Sequence, residues 1–159
     1  MAVSGKYMAY VGSYSYTGKA KGITVYDVDV EKGVFHKRCE VEVDNSSYVI
    51  ASSDGKTLYS IADEGVVAFR ILENGSLSRL NSAKINGMRG CHLSTDADDK
   101  YIFVSGYHDG KATVLRLGKD GAVGEIVDGV FHKGLGSVAE RNFRPHVNCV
   151  RPTPDNKYL

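Results

Sequence analysis

Proline is scarce in this chain, with three in 159 residues. Long apolar runs are missing altogether, and none approaches the ~18 residues that a membrane span requires. Neither sign of charge dominates: 20 Lys and Arg stand against 19 Asp and Glu. That balance removes the electrostatic reason to expect a nucleic acid or a membrane surface as partner. Cysteine is limited to Cys39, Cys91 and Cys149, an odd number with no C-x-x-C pair. This reads as three reduced thiols used as small apolar residues. The first residues, Met-Ala-Val-Ser-Gly-Lys, show no basic segment followed by an apolar core. A secretory leader is therefore not expected, and a cytoplasmic location is.

Several chemical signatures are missing too. There is no G-x-x-x-x-G-K-[ST] phosphate loop, no G-x-S-x-G elbow and no H-E-x-x-H pair. The five histidines show no metal-ligand spacing, so neither a metal nor another cofactor is expected. Asp96, Asp98 and Asp99 lack the glycine and distal glutamate of a calcium loop and read as a structural turn. Helical periodicity is absent as well; Gly134 to Asn142 has room for one turn at most.

What the chain does have is glycine (18) and tyrosine (10), which suit many short strands joined by tight turns. Runs such as Ile23-Thr24-Val25-Tyr26-Asp27-Val28 and Val66-Val67-Ala68-Phe69-Arg70-Ile71 follow a period of two. Polar turns leading into a strand recur: Asp54-Gly55-Lys56-Thr57-Leu58, Asp98-Asp99-Lys100-Tyr101-Ile102 and Asp155-Asn156-Lys157-Tyr158-Leu159, with a weaker copy at Ser4-Gly5-Lys6-Tyr7-Met8. Each following strand also aligns, beginning at Gly22, Gly65 and Lys111, and each then meets a glycine turn at Gly33, Gly75 or Gly121. Four strands in roughly 45 residues is the size of a β-propeller blade. The reading is all-β: about three propeller blades in an incomplete ring, spanning approximately residues 6–44, 45–87 and 88–134, with a fourth starting at 144–159.

With strands named A to D from the central channel outward, the chain runs B-C-D, A-B-C-D, A-B-C-D, then an A strand over His146 to Arg151 and the beginning of a B strand. The first unit lacks an A strand, as expected of a ring closed by a later strand of the chain. Open blade edges leave unpaired N–H and C=O groups, so self-association through them is a possible consequence. A chain ending here is expected to be a piece of a larger ring and to have little activity by itself.

The stretches Tyr10-Val11-Gly12-Ser13-Tyr14, Gly90-Cys91-His92-Leu93-Ser94, Gly106-Tyr107-His108-Asp109-Gly110-Lys111 and, above all, Gly134-Leu135-Gly136-Ser137 through Arg144-Pro145-His146 to Thr153-Pro154-Asp155 resemble the seven-bladed β-propeller lactonases. That family includes bacterial 6-phosphogluconolactonases and fungal carboxymuconate-lactonising enzymes. The resemblance implies hydrolysis of 6-phosphoglucono-1,5-lactone to 6-phosphogluconate, a step of the pentose phosphate pathway in carbohydrate metabolism, without a metal. A phosphorylated sugar lactone is the implied partner.

Lactone hydrolysis needs a base for the attacking water and positive or hydrogen-bonding groups around the developing oxyanion. A phosphorylated substrate also calls for Arg or Lys. The cluster Glu140, Arg141, Arg144 and His146 leads into the fourth A strand and has those residue types. His146, Arg144 and Glu140 are therefore the catalytic candidates, with Arg141, Arg89 and Asn148 for substrate binding. The same residues would also suit a solvated charged loop between blades. Counting back from the turns puts Asn45, Arg89 and His146 in one register, Ser47, Cys91 and Asn148 in the next, and Tyr48, His92 and Cys149 on the opposite face. His92 is thus expected to pack between blades, and His108 to be an exposed turn residue. The family resemblance implies a second histidine where this chain has Asn148, which can orient a water but cannot titrate. Two other functions remain open: a non-catalytic propeller used as an interaction surface, and a carboxymuconate-type cyclase.

Overall fold

The computed structural model describes residues 7–136 and 142–159. Within them there are eleven strands and no helix. Strands β1 (Tyr7–Gly12), β2 (Gly22–Asp29) and β3 (Val34–Glu42) form one antiparallel meander. A second contains β4 (Val49–Ala51), β5 (Thr57–Ala62), β6 (Gly65–Ile71) and β7 (Leu77–Lys84). The third contains β8 (His92–Thr95), β9 (Tyr101–Gly106), β10 (Lys111–Leu117) and β11 (Val123–Phe131). Each sheet follows chain order without a crossover. This is the B-C-D, A-B-C-D, A-B-C-D arrangement of successive propeller blades.

The repeat extends into the backbone. The turns between the A and B strands close with the same backbone bond in each copy. Ser52 N–H donates to Thr57 O, Asp96 N–H to Tyr101 O, and Thr153 N–H to Tyr158 O. The left-handed position in these turns is occupied by Gly55, Asp99 and Asn156. Asp99 and Asn156 also tie blades together, since their side chains accept from the N–H groups of Ser53 (2.7 Å) and Ala97 (3.0 Å) in the preceding turn. Gly33, Gly75 and Gly121 all have positive φ in the C–D turns. A further regularity is a bulge between each C and D strand, at Val25/Tyr26, Ala68/Phe69 and Val114/Leu115. An extra residue in the outer strand at one fixed register bends and twists it, which keeps the blades alike in shape. Asp96 behaves as a turn residue, its Oδ1 accepting from the N–H groups of Lys100 and Tyr101 at 2.7 Å each.

Strands β5 and β6 are buried along nearly their whole length because a sheet lies on each side of them. The alternation expected over Val66 to Ile71 is therefore not seen in burial: Gly65 to Phe69 are all buried, and β5 buries the polar Thr57 and Ser60 along with its apolar residues. One core lies between the second and third sheets, around Tyr59, Ile61, Leu93, Ile102 and Leu115. The other lies between the first and second, around Ile23, Val43, Leu58, Val67 and Phe69.

One expected element differs. Residues 146–151 are not a strand; they lie along β8 and β9 without joining their sheet. A strand is defined by its ladder, and the segment that would pair with this one provides only the turn-closing bond to Thr153. Its position is set instead by contacts with the third blade. Ser94 Oγ donates to Val150 O at 2.7 Å, and Cys91 Sγ lies 3.4 Å from Val147 O.

Candidate active site

An antiparallel meander puts its A–B and C–D turns at one end and its B–C turns and D–A connections at the other. Of the described residues singled out in the sequence, Arg89, Arg144 and His146 lie at this second end. There each residue that leads into an A strand leans on the B–C turn of the blade before it. Asn45, buried and at φ 50°, accepts from the N–H groups of Ser15 (2.9 Å) and Tyr16 (3.0 Å). Arg89 reaches Asp63 in the β5–β6 turn at 2.9 Å. His146 stacks on Tyr107 in the β9–β10 turn, with ring centroids 4.3 Å apart, and its Nδ1 is 2.6 Å from the Tyr107 carbonyl oxygen. The three residues predicted to share a register therefore do one structural job in three blades.

His146 gains chemical definition from this contact. A carbonyl oxygen can only accept, so Nδ1 carries the hydrogen and donates it. In the neutral imidazole, Nε2 is then the nitrogen able to take a proton. The approach to His146 depends on Gly110, which has φ 64°: a Cβ there would sit 2.8 Å from the Pro145 carbonyl oxygen. Arg144 is exposed, with its guanidinium carbon 4.8 Å from the Phe143 ring centroid. Arg144, Pro145 and His146 line an open pocket of about 400 Å³ together with Gly134, Leu135, Gly136 and Asn142. Asn148 is exposed two residues further on. Glu140 and Arg141, the other two candidates, lie outside the described residues.

Arg89 has a more committed environment than its sequence suggests. Besides the Asp63 ion pair, its guanidinium sits 4.9 Å from the Tyr14 ring centroid. Asp63 was not among the sequence candidates and proves to be the hub of this corner. Its two carboxylate oxygens accept from the Asn45 amide at 3.0 and 2.9 Å, and one also accepts from Arg89. It occupies a tight turn between two apolar runs, where an aspartate reads as an ordinary turn residue. Its alignment with Tyr107 in the next blade was the one signal that could have revealed it.

The Asn45 amide, and then Arg89 through its hydrogen bond and charge, hold the Asp63 carboxyl below the usual carboxylate range. An unfolded aspartate titrates near ~3.9, so this contribution to stability is complete above about pH 4 and is lost as pH falls through the lower folded-state value. With the side chain 47% exposed, the contribution is expected to be under ~1 kcal/mol. In urea titrations run from about pH 6 down to about pH 3, the stability gap between wild type and Asp63→Asn should narrow. A gap that stays constant or widens would contradict the assignment.

A larger concavity of about 600 Å³ lies at the opposite end of the blades, among Ser53, Lys56, Arg70, Asp99, Lys119 and Asp120. Its aspartates are engaged in turns: Asp99 accepts from Ser53, and Asp120 from the Ala122 N–H. It belongs to the turn architecture rather than to the candidate site. Among the described residues, no cluster of three or more His, Cys, Asp or Glu side chains is placed to hold a metal. None of the described residues forms a helix long and apolar enough to cross a membrane.

Successive antiparallel meanders, one of three strands and two of four, define a partial β-propeller, with the candidate side chains gathered at one end of its blades. Residues 8–159 match the family described as "Lactonase, 7-bladed beta-propeller", and the chain belongs to that family. It is 32% identical to the 6-phosphogluconolactonase of Bacillus subtilis (strain 168), with 97% of this chain covering 45% of that one. A solved structure of a candidate 6-phosphogluconolactonase from Bacteroides fragilis NCTC 9343 superposes with a TM-score of 0.89 at 37% identity, over 98% of this chain and 44% of its own. Another, from Bacteroides uniformis ATCC 8492, gives 0.86 at 26% identity, over 95% and 45%. The chain thus spans about half the length of the relatives it matches.

Proposed function

We propose that the protein to which these blades belong hydrolyses the phosphorylated sugar lactone 6-phosphoglucono-1,5-lactone to 6-phosphogluconate, in the cytoplasm, as a step of the pentose phosphate pathway. Membership of the lactonase family and likeness to proteins named 6-phosphogluconolactonase support a lactone hydrolase. The observation that carries the reading is the Nδ1 anchor of His146 on the Tyr107 carbonyl. It fixes the tautomer that a general base requires and orients the ring beside an open pocket that also presents Arg144.

In this mechanism water attacks the lactone acyl carbon while Nε2 of His146 takes its proton. The tetrahedral oxyanion collapses by breaking the ring C–O bond, and the imidazolium returns the proton to the departing ring oxygen. Arg144 provides positive charge for the oxyanion or the substrate phosphate. Asn148, two residues beyond His146, can hydrogen-bond a water or a sugar hydroxyl, and Glu140 and Arg141 would add charge to the same mouth. Arg89, held by Asp63, would face the phosphate as a fixed cation.

The test is direct. Purified full-length protein should remove the phosphorylated lactone faster than it hydrolyses spontaneously. Lactone loss at the spontaneous rate would refute the proposal. Formation of a cyclised muconate product, with the sugar lactone untouched, would transfer the site to the other chemistry of the family.

A further inference from the structure

Polar groups from three blades close a circuit of contacts through one carboxylate, that of Asp63. The loop between β1 and β2 donates its Ser15 and Tyr16 N–H groups to Asn45 Oδ1 at 2.9 and 3.0 Å. Asn45, 8% exposed where the second blade begins, returns its own N–H to Ser15 Oγ at 2.9 Å. Its amide nitrogen donates to both oxygens of Asp63, at 3.0 and 2.9 Å. Asp63 Oδ1 in turn accepts from Nη1 of Arg89, at the entrance to the third blade, at 2.9 Å. The Arg89 guanidinium carbon lies 4.9 Å from the Tyr14 ring centroid, which brings the circuit back to the first loop. All of these contacts run between the first, second and third sheets. They do not depend on what adjoins β1 or on residues 146–159.

We propose that Asp63 is a positioning residue for Arg89, and that the guanidinium it holds gives the site its preference for phosphorylated over unphosphorylated sugar acids and lactones. The assignment builds on the phosphate-facing role of Arg89 in the proposed hydrolysis. Among the described residues, Arg89 donates through Nη1 alone. Its Nε–Nη2 edge keeps two parallel N–H groups, the geometry with which a phosphate is held bidentately. The Tyr14 ring supports the same group by a cation–π contact. Asp63 can hold Arg89 because it is itself held. Asn45 engages both of its oxygens, so the carboxylate meets the guanidinium in one orientation.

Two effects of this carboxylate oppose each other. Fixing an arginine side chain spares the rotamer freedom that binding would otherwise remove, worth up to roughly thirtyfold in affinity. Against this, the Asp63 charge repels a phosphate seated on Arg89. Across ~7 Å of solvated surface that repulsion amounts to a few-fold, because water and salt screen it. Positioning therefore outweighs repulsion, and loss of the carboxylate should weaken phosphate binding by roughly tenfold.

The experiment titrates the full-length protein with 6-phosphogluconate and with gluconate by isothermal calorimetry. Wild type should bind the phosphorylated acid more tightly, by roughly tenfold or more. Asp63→Asn is close in shape, but it removes the charge and turns an N–H2 group towards the Asn45 amide in either orientation. It should weaken 6-phosphogluconate by roughly tenfold and lower the ratio of the two affinities. Arg89→Ala should weaken it at least as much. The double variant should bind no more weakly than Arg89→Ala alone, because Asp63 acts on the ligand through the guanidinium. A purely structural role would lower both affinities together and add to the Arg89→Ala loss. Wild type without a preference for the phosphorylated acid would overturn the proposal. So would wild-type affinity in Asp63→Asn, or a double variant weakened by the product of the two single effects. Urea transitions show that each variant is folded. If Asp63→Asn does not fold, Asp63→Ser removes the same carboxylate and is read by the same criteria. Binding requires no turnover, so the two readings fail separately. A protein with this pattern that leaves the lactone at its spontaneous rate fails as a hydrolase and keeps the role of Asp63.

Discussion

Replacing His146 by alanine in the full-length protein is expected to lower kcat/KM for the phosphorylated lactone by about 10²–10⁴-fold, the range associated with a lost general base. The loss should appear in kcat as well as in kcat/KM, because proton transfer is realised only in the transition state. A change confined to KM would instead mark His146 as a binding residue. The geometric basis is the Tyr107 carbonyl, which accepts from Nδ1 at 2.6 Å and leaves Nε2 as the basic nitrogen. The Tyr107 ring, stacked at an interplanar angle of 18°, sets the plane in which that nitrogen lies. An Asn at 146 could preserve a hydrogen bond to the carbonyl but cannot titrate, so it should be nearly as inactive as Ala. Activity close to wild type in both variants would remove His146 from the mechanism. His108 is the matched control: it is exposed and meets Tyr107 edge-on at 5.2 Å, without the anchor. Its replacement by alanine should leave the rate within a factor of a few.

The second large effect concerns the scaffold. Phe69→Ala should destabilise the fold by about 3–5 kcal/mol, as for other buried aromatic truncations. Phe69 is 1% exposed and packs in the seam between the first two blades with Ile23, Val43, Leu58 and Val67. It also sits where the β6–β7 ladder shifts register, so its neighbours are held by the bulge and have little freedom to close a cavity. Against a typical domain stability of ~5–15 kcal/mol, this is a large share of the whole. The check is a shift in the urea midpoint at unchanged slope. A loss under ~1 kcal/mol would mean that the seam tolerates the void, and that blades one and two are less tightly packed than this structure shows.

Much of the architecture was legible before any coordinates. A repeated polar turn, an aligned C strand and a glycine after it sufficed to imply blades. All three reflect local requirements: Gly33, Gly75 and Gly121 sit at positive φ, and Gly55, Asp99 and Asn156 fill one left-handed position. Counting back from those turns also predicted that Tyr48, His92 and Cys149 would share a face, and the structure brings them into contact. The recurring C–D bulge was not legible. It depends on how an outer strand accommodates its neighbour's twist, and no residue type marks it. The strand expected over residues 146–151 did not form, because strand propensity without a ladder partner does not make a strand.

The incomplete ring of propeller blades was determined by sequence alone, since each blade is specified by turns and alternation over a few tens of residues. The separation of His146 from His92 also followed from register: the first meets Tyr107, the second Tyr48 and Cys149. Only the tertiary structure decided what those side chains meet. That Arg89 is paired with Asp63 and stacked near Tyr14, that His146 is fixed by a carbonyl 39 residues earlier, and that Cys149 faces an imidazole 57 residues away are contacts between blades. Their partners are set by the packing of one sheet against the next, which local pattern does not encode.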